Sequence, residues 1–336
     1  NPSYLLINTG NANAGTGKQG MDDAVASCQS AAELFSVDAD QVLPFSTGVI
    51  GEKLPIEKIQ QGLPNAANDL SESHWLRAAE GILTTDTRPK GAVARVQYAG
   101  ETIYINGISK GAGMIKPNMA TMLAFIGTDA KIPQSLLTEL VSELSEISFN
   151  RITVDGDTST NDSCMLFASG ASDAQVIDSL HDDFPAFKAA LKNVFIELAQ
   201  AIIRDAEGAT KFVPVIVEQA SSLQEALDVA YTIAHSPLIK TALFASDPNW
   251  GRILAALGRA PIEALDLSKV DIFLGDVRIV SAGEKCADYT EIQGQAVMDG
   301  EEITIQINLG RGKFTETVWT SDLSQDYVKI NAEYRT

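Results

Sequence analysis

Residues 110–130, Lys-Gly-Ala-Gly-Met-Ile-Lys-Pro-Asn-Met-Ala-Thr-Met-Leu-Ala-Phe-Ile-Gly-Thr-Asp-Ala, constrain this chain more than any other stretch. Two glycines, Gly111 and Gly113, and a proline, Pro117, interrupt regular structure just before an abrupt apolar run, Met122 to Ile126. That run has the length and composition of a buried strand, which places Thr121 where a loop enters it. On spacing alone the threonine is a β-former at the mouth of a strand. It also has a chemical reading. A cut between Ala120 and Thr121 would leave a hydroxyl and a free α-amine on one residue, a nucleophile paired with its own base. Because an α-amine titrates at roughly 7.7 to 8.0, an appreciable fraction is free base near neutral pH and no histidine is needed.

Composition removes several other chemistries. The 336 residues are 45% hydrophobic, enough for a substantial core in one large domain or two. Against 25 Lys and Arg stand 44 Asp and Glu, a net charge of -19, which opposes nucleic acid and anionic membranes and leaves a small molecule as the expected partner. Cys28, Cys164 and Cys286 are odd in number and in no metal-ligand spacing, as in a reducing cytoplasm. His74, His181 and His235 belong to no GxSxG or HExxH pattern, so neither a Ser-His-Asp triad nor a zinc hydrolase is expected. No apolar run of about 18 residues and no signal-peptide pattern occurs.

Taken in order, Tyr4 to Ile7 reads as a strand running into Asn8–Gly17, small polar residues that form either a tight connection or an anion-facing loop. Met21, Ala24, Val25, Cys28, Ala31, Ala32 and Phe35 predict the buried face of a helix. Pro44–Gly51 reads as a turn at a strand end, with Gly48 free to bring a backbone N–H close to a bound group. Two helices are predicted to begin near Pro55 and Asn65, then a polar segment, Thr84-Thr85-Asp86-Thr87, and a hairpin around Gly100 that delivers Lys110 to the central loop. Pro133–Ile147 and Phe187–Ile202 have helical apolar spacing, and Ser222 to Glu225 is a capping-box pattern. Between them, residues 152–163 hold three acids among hydroxyls, without the spacing or bidentate glutamate of a calcium loop. Asp247–Arg252 opens a further helix, with Arg252 either structural or facing substrate, and residues 270–274, 302–309 and 314–320 read as sheet strands.

Five segments beside the central loop, INTGNANAGTG at 7–17, PFSTGVIG at 44–51, ITVDGDTSTNDS at 152–163, TALFASDPNWGRILAALG at 241–258 and YVKINAEYRT at 327–336, resemble the ornithine acetyltransferase (glutamate N-acetyltransferase) family of arginine biosynthesis. The resemblance covers nearly the whole chain. Members generally have further chain before this start, so the sequence reads as shortened at its N-terminus.

The resemblance implies an α/β fold of the self-processing, aminopeptidase-like type, a layered sandwich of mixed sheets and helices in two lobes. It implies self-cleavage at Ala120-Thr121 into an α chain of residues 1–120 and a β chain of residues 121–336, assembled two and two as a heterotetramer. Thr121 becomes the nucleophile, Thr47 and Gly48 the oxyanion hole. Substrate contacts fall on Thr84 (with Thr85 its rival), Lys110, Thr121, Glu207, Asn331 and Thr336, with Thr210 and Lys211 behind them. Residues 152–163 become a hydrogen-bonded loop holding the nucleophile's strand. The implied reaction is ping-pong acetyl transfer from N2-acetyl-L-ornithine to L-glutamate in the cytoplasm, without cofactor or metal, and in some members acetyl-CoA is a second donor. The alternatives are a hydrolase with the same nucleophile and water as acceptor, and a binding protein without activity. Labelled acetyl exchange separates the first, and an inert Thr121→Ala exchange the second.

Overall fold

The computed structural model describes residues 2–116 and 122–333. Among these residues three sheets carry the fold, and the first is small. Strand β1 (Tyr4–Asn11) and strand β2 (Val42–Val49) run parallel, joined through helix α1 (Gly17–Phe35). β1 extends beyond its apolar start as far as Asn11, where the register with β2 shifts. The buried face of α1 departs from its apolar stripe: Gly20, Asp23, Ser27, Cys28, Ala31 and Ala32 turn inward, while Met21 and Val25 are 67% and 47% exposed. Gly20 lies against Asn13 and Thr16, so the side without bulky side chains must face the preceding loop. Helix α2 (Ile56–Asn68) passes through Pro64, where a second helix was expected to begin. One missing N–H on an exposed turn is tolerated while Leu63 packs with Cys28 and Ala31 of α1. The second helix is α3 (Trp75–Gly81) instead.

The middle sheet has the order β3 (Lys90–Tyr98), β4 (Glu101–Lys110), β5 (Leu123–Thr128), β6 (Ser163–Ala168). The β3–β4 hairpin turns at Ala99 and Gly100, both at positive φ, and β5 is buried along its whole length, antiparallel to β4 and parallel to β6. Helix α4 (Gln134–Glu146) lies between β5 and β6 in the chain, and α5 (Phe184–Arg204) lies across β3 and β4. The predicted face of α5, Phe187, Leu191, Val194, Phe195, Leu198 and Ile202, is fully buried in this core. On the opposite face Ile108, Leu123 and Phe125 meet Leu5, Ile7 and Phe45 of the first sheet, with the Phe45 and Phe125 rings edge to face at 5.1 Å.

The third sheet forms from β7 (Phe212–Ala220) onward. Helices α6 (Leu223–Ala234), α7 (Pro237–Phe244) and α8 (Trp250–Gly258) precede strands β8 (Asp271–Leu274), β9 (Val277–Ser281) and β10 (Glu284–Lys285). After them come α9 (Glu291–Met298), β11 (Ile305–Asn308), β12 (Phe314–Ser321) and α10 (Gln325–Glu333). Strand order is β10-β9-β8-β11-β7-β12, and a second large core lies between this sheet and helices α6, α7 and α8. The two large cores meet where Thr153 N donates to the Trp319 carbonyl of β12 at 3.0 Å. No helix among the described residues is long and apolar enough to cross a membrane.

Candidate active site

A cavity of about 220 Å³ lies where the first sheet, the ends of β4 and β5, the loop 155–162 and α10 converge. Its wall includes Thr47 and Gly48 from the end of β2, Thr84 and Thr85 from the segment after α3, and Lys110 from the last position of β4. Glu207 reaches it from just past α5 and Asn331 from α10. Six of the expected site residues, spread over 285 positions from Thr47 to Asn331, thus share one wall. Ala120, Thr121 and Thr336 lie outside the described residues.

Lys110 stands at the centre. Its Nζ donates to Thr84 Oγ1 at 2.6 Å and to Thr47 Oγ1 at 3.3 Å. A hydroxyl that accepts from an ammonium has its own hydrogen left to donate elsewhere, so both threonines are primed as donors toward a bound oxygen. Asp86 Oδ2 lies 3.7 Å from the same Nζ, and Asp86 Oδ1 takes the Gly111 N–H at 2.7 Å and Lys90 Nζ at 2.6 Å. Asp86 also accepts from Thr84 N at 3.1 Å, and Lys90 continues the chain to Asp205 at 2.5 Å. Burial opposes ionisation of Asp86, yet Lys110, Lys90 and the Gly111 N–H together hold its carboxyl below the usual carboxylate range. Burial pulls Lys110 below the ordinary lysine value, opposed chiefly by Asp86.

Gly48 owes its identity to close approach. Its φ is +133°, and a Cβ there would come within 2.3 Å of the Gly10 carbonyl carbon. In the loop after β1, Asn11 Nδ2 donates to the Glu52 and Lys53 carbonyls, and Asn161 Nδ2 donates to the Ala12 carbonyl. Glu207 Oε2 accepts from Asn331 Nδ2 at 2.7 Å, and Gly113 packs so closely that a Cβ would meet the Glu207 carboxylate at 2.3 Å. The segment leading away from Lys110 is therefore folded over Glu207, whose N–H also donates to the Ala112 carbonyl at 2.9 Å.

Asp155 clamps that segment. Its oxygens accept Met114 N at 2.7 Å, Ile115 N at 3.0 Å, Asp157 N at 3.1 Å and the Tyr327 hydroxyl at 3.2 Å. The acid-and-hydroxyl loop thus holds the chain just before Pro117, and Asp162 lines the same cavity. Asp86, Asp155, Asp162 and Tyr327 are site residues that the sequence did not single out. Their signals were a carboxylate inside a threonine cluster and a dense polar loop, in which only side-chain direction separates one acid from the next. Arg252 resolves to the structural alternative, donating to the Leu238 carbonyl at 2.7 Å, outside the cavity. Thr210 and Lys211 bind Asp322 ahead of α10 and do not line the cavity either. No group of three or more His, Cys, Asp or Glu among the described residues could hold a metal ion.

A model of the ArgJ family matches residues 2–336. The chain belongs to the ArgJ family. The arginine biosynthesis bifunctional protein ArgJ of Pseudomonas fluorescens is 60% identical to this ArgJ-family chain over 334 residues, covering 99% of it and 82% of the relative. The protein of the same description from Methylococcus capsulatus is 57% identical over 335 residues, again 82% of its length. The crystal structure of an arginine biosynthesis bifunctional protein argJ from Bacillus halodurans, 39% identical, superposes with a TM-score of 0.59 over 61% of this chain and 96% of its own. The ArgJ-family fold is therefore the layered mixed α/β arrangement described above.

Proposed function

We propose that this chain is the acetyltransferase of arginine biosynthesis that moves an acetyl group from N2-acetyl-L-ornithine to L-glutamate. The observation that carries the reading is the meeting of Thr47, Gly48, Thr84, Lys110, Glu207 and Asn331 on one small cavity, in a chain whose relatives at 55–60% identity are bifunctional arginine-biosynthesis proteins. Thr121 is the nucleophile, freed by cleavage after Ala120. Its Oγ bonds the acetyl carbon while its own amine takes the hydroxyl proton. Thr47 and Gly48 donate to the oxygen on which charge gathers, a contribution of about 2.7–4 kcal/mol for one such donor. Lys110 and Thr84 take the substrate's carboxylate and Glu207 with Asn331 its ammonium, because a cation and an anion at opposite ends fix an amino acid in one direction. Ornithine then leaves, and the glutamate amine removes the acetyl group.

Cleavage would leave Thr47, Thr84 and Lys110 on residues 1–120 and the nucleophile with Glu207, Asn331 and Thr336 on residues 121–336, so neither piece holds a whole site. Two copies of each piece form the working particle, in the cytoplasm. Acetyl-CoA is a second donor if the chain shares the bifunctional character of its relatives.

Mass measurement of the purified chain, followed by transfer of labelled acetyl from N-acetylornithine to glutamate, tests the proposal. Two pieces meeting at 120/121 and glutamate-dependent transfer are expected. Thr121→Ala is expected to leave the chain whole and to lower transfer at least about 10³-fold, the scale of losing a covalent nucleophile. An intact mass in an active sample would rule out the cleavage step, and label released only as free acetate would make the protein a hydrolase.

A further inference from the structure

Asp162 has a carboxyl oxygen with nothing to do. Its Oδ2 is sealed from solvent and has no hydrogen-bond partner among the described residues, while the Ser159 side chain bonds the same carboxyl. Asp162 lines the cavity, and a buried oxygen left unpaired on such a residue costs about 1–3 kcal/mol, which calls for a proton or a ligand that uses it. Backbone pairing fixes its place. Leu123 stands opposite Ser163 in the parallel β5–β6 pair and Ser163 N donates to the Met122 carbonyl at 2.8 Å, setting position 162 alongside 122. On its other side Asn161 is tied to Ala12.

Lys110 is the cation that acts on Asp162, with Lys90 and Asp86 behind it; Asp155, Asp157 and Glu207 line the same wall. Asp155 and Glu207 are already bonded to Tyr327 and Asn331. Burial pushes the Asp162 carboxyl up to about 8, and Lys110 and Ser159 offset this only in part. Near neutral pH it can both give and take a proton.

We propose that Asp162 hands a proton to the departing amine and takes one from the incoming amine, a role that rests on the acetyl-transfer reading above. In the first half-reaction Thr121 Oγ bonds the acetyl carbon and passes its proton to its own amine. As the carbon–nitrogen bond breaks, the nitrogen takes the Asp162 proton and ornithine leaves as the neutral amine. In the second, glutamate arrives as the free amine, its nitrogen bonds the acetyl carbon and gives a proton to the Asp162 carboxylate, and Oγ recovers its proton from the α-ammonium. Both groups return to their starting states without another reactant. A scheme in which the α-amine carries both protons leaves the Asp162 oxygen unused.

The test is ornithine release from N-acetylornithine without glutamate, followed across pH in the full chain. The wild-type rate is expected to fall above a pH of about 8. Asp162→Asn is expected to lower the maximal rate about 10²–10⁴-fold, move KM less than about threefold and lose the falling limb, whereas a limb caused by Lys110 would persist. A wild-type profile that stays flat above this pH overturns the proposal whatever the variant does. So does a folded Asp162→Asn protein within about threefold of the wild-type rate. Wild type that releases no ornithine at any pH defeats both this role and the reaction it serves, while release with an unmoved profile defeats this role alone.

Discussion

At Asp86 one fully buried carboxylate fixes the Thr84 and Gly111 N–H groups and the Lys90 and Lys110 ammonium groups. Asp86→Asn keeps the shape but leaves two buried cations short of counter-charge, and removing one partner of a buried pair costs about 3–5 kcal/mol. The expected outcome is a denaturant midpoint lowered accordingly, with KM raised as Lys110 loses its fixed place. An unchanged midpoint would show that Lys90 and Asp205 suffice alone. The sign with pH follows from the depressed carboxyl: its contribution is full above the unfolded value of about 3.9 and fades as pH falls through the lower folded value. At this scale the family resemblance named Thr47, Gly48, Thr84, Lys110, Glu207 and Asn331, and these six share one cavity wall. The sequence told little about Asp86, because a carboxylate that works by pairing with Lys90, Lys110 and two backbone groups has no local pattern to betray it.

Among the elements, α10 depends most on what precedes it. Asp322 accepts Thr210 N at 2.8 Å, Thr210 Oγ1 at 2.6 Å and Lys211 N at 2.9 Å, and buried Lys240 holds Thr320 Oγ1 at 3.0 Å together with the Ser321 carbonyl. These bonds aim the helix so that Tyr327 reaches Asp155 and Asn331 reaches Glu207. Asp322→Ala is expected to raise KM about tenfold with a smaller change in kcat, since it loosens Asn331, the proposed substrate contact, without touching the proposed nucleophile. Equal KM values for variant and wild type would mean that Tyr327 and Lys240 dock α10 unaided. Element type was readable on α5 and α1 alike, because a helical apolar spacing marks both. The buried face of α1 was only partly readable, since Gly20 must face Asn13 and Thr16, and the second helix start was misplaced at Pro64, where tertiary contact of Leu63 outweighs a lost hydrogen bond.

Over the whole molecule, the two large cores are joined around residues 152–155, and His235 sits at that joint with Nε2 3.0 Å from Thr153 Oγ1. Burial, then Lys116, Lys240 and Arg259, push its imidazole down to about 4. A folded value below the unfolded one of about 6.5 means stability is intact above that pH and is lost as pH falls toward about 4. His235→Gln is therefore expected to flatten the decline of the thermal midpoint over this interval, and an identical decline would assign acid sensitivity elsewhere.

The strands on either side of the proposed cut already hold each other. β4 and β5 pair over six positions from Ile105–Thr128 to Lys110–Leu123, and Asp155 grips Met114 and Ile115 across the break. Severing the link between such neighbours barely loosens the native state. The denatured state changes completely, because two separate polymers must then find each other by diffusion before the central sheet can form. A nicked molecule once melted would regain its shape at a rate set by its concentration, so the cut would record, irreversibly, that this protein had folded once.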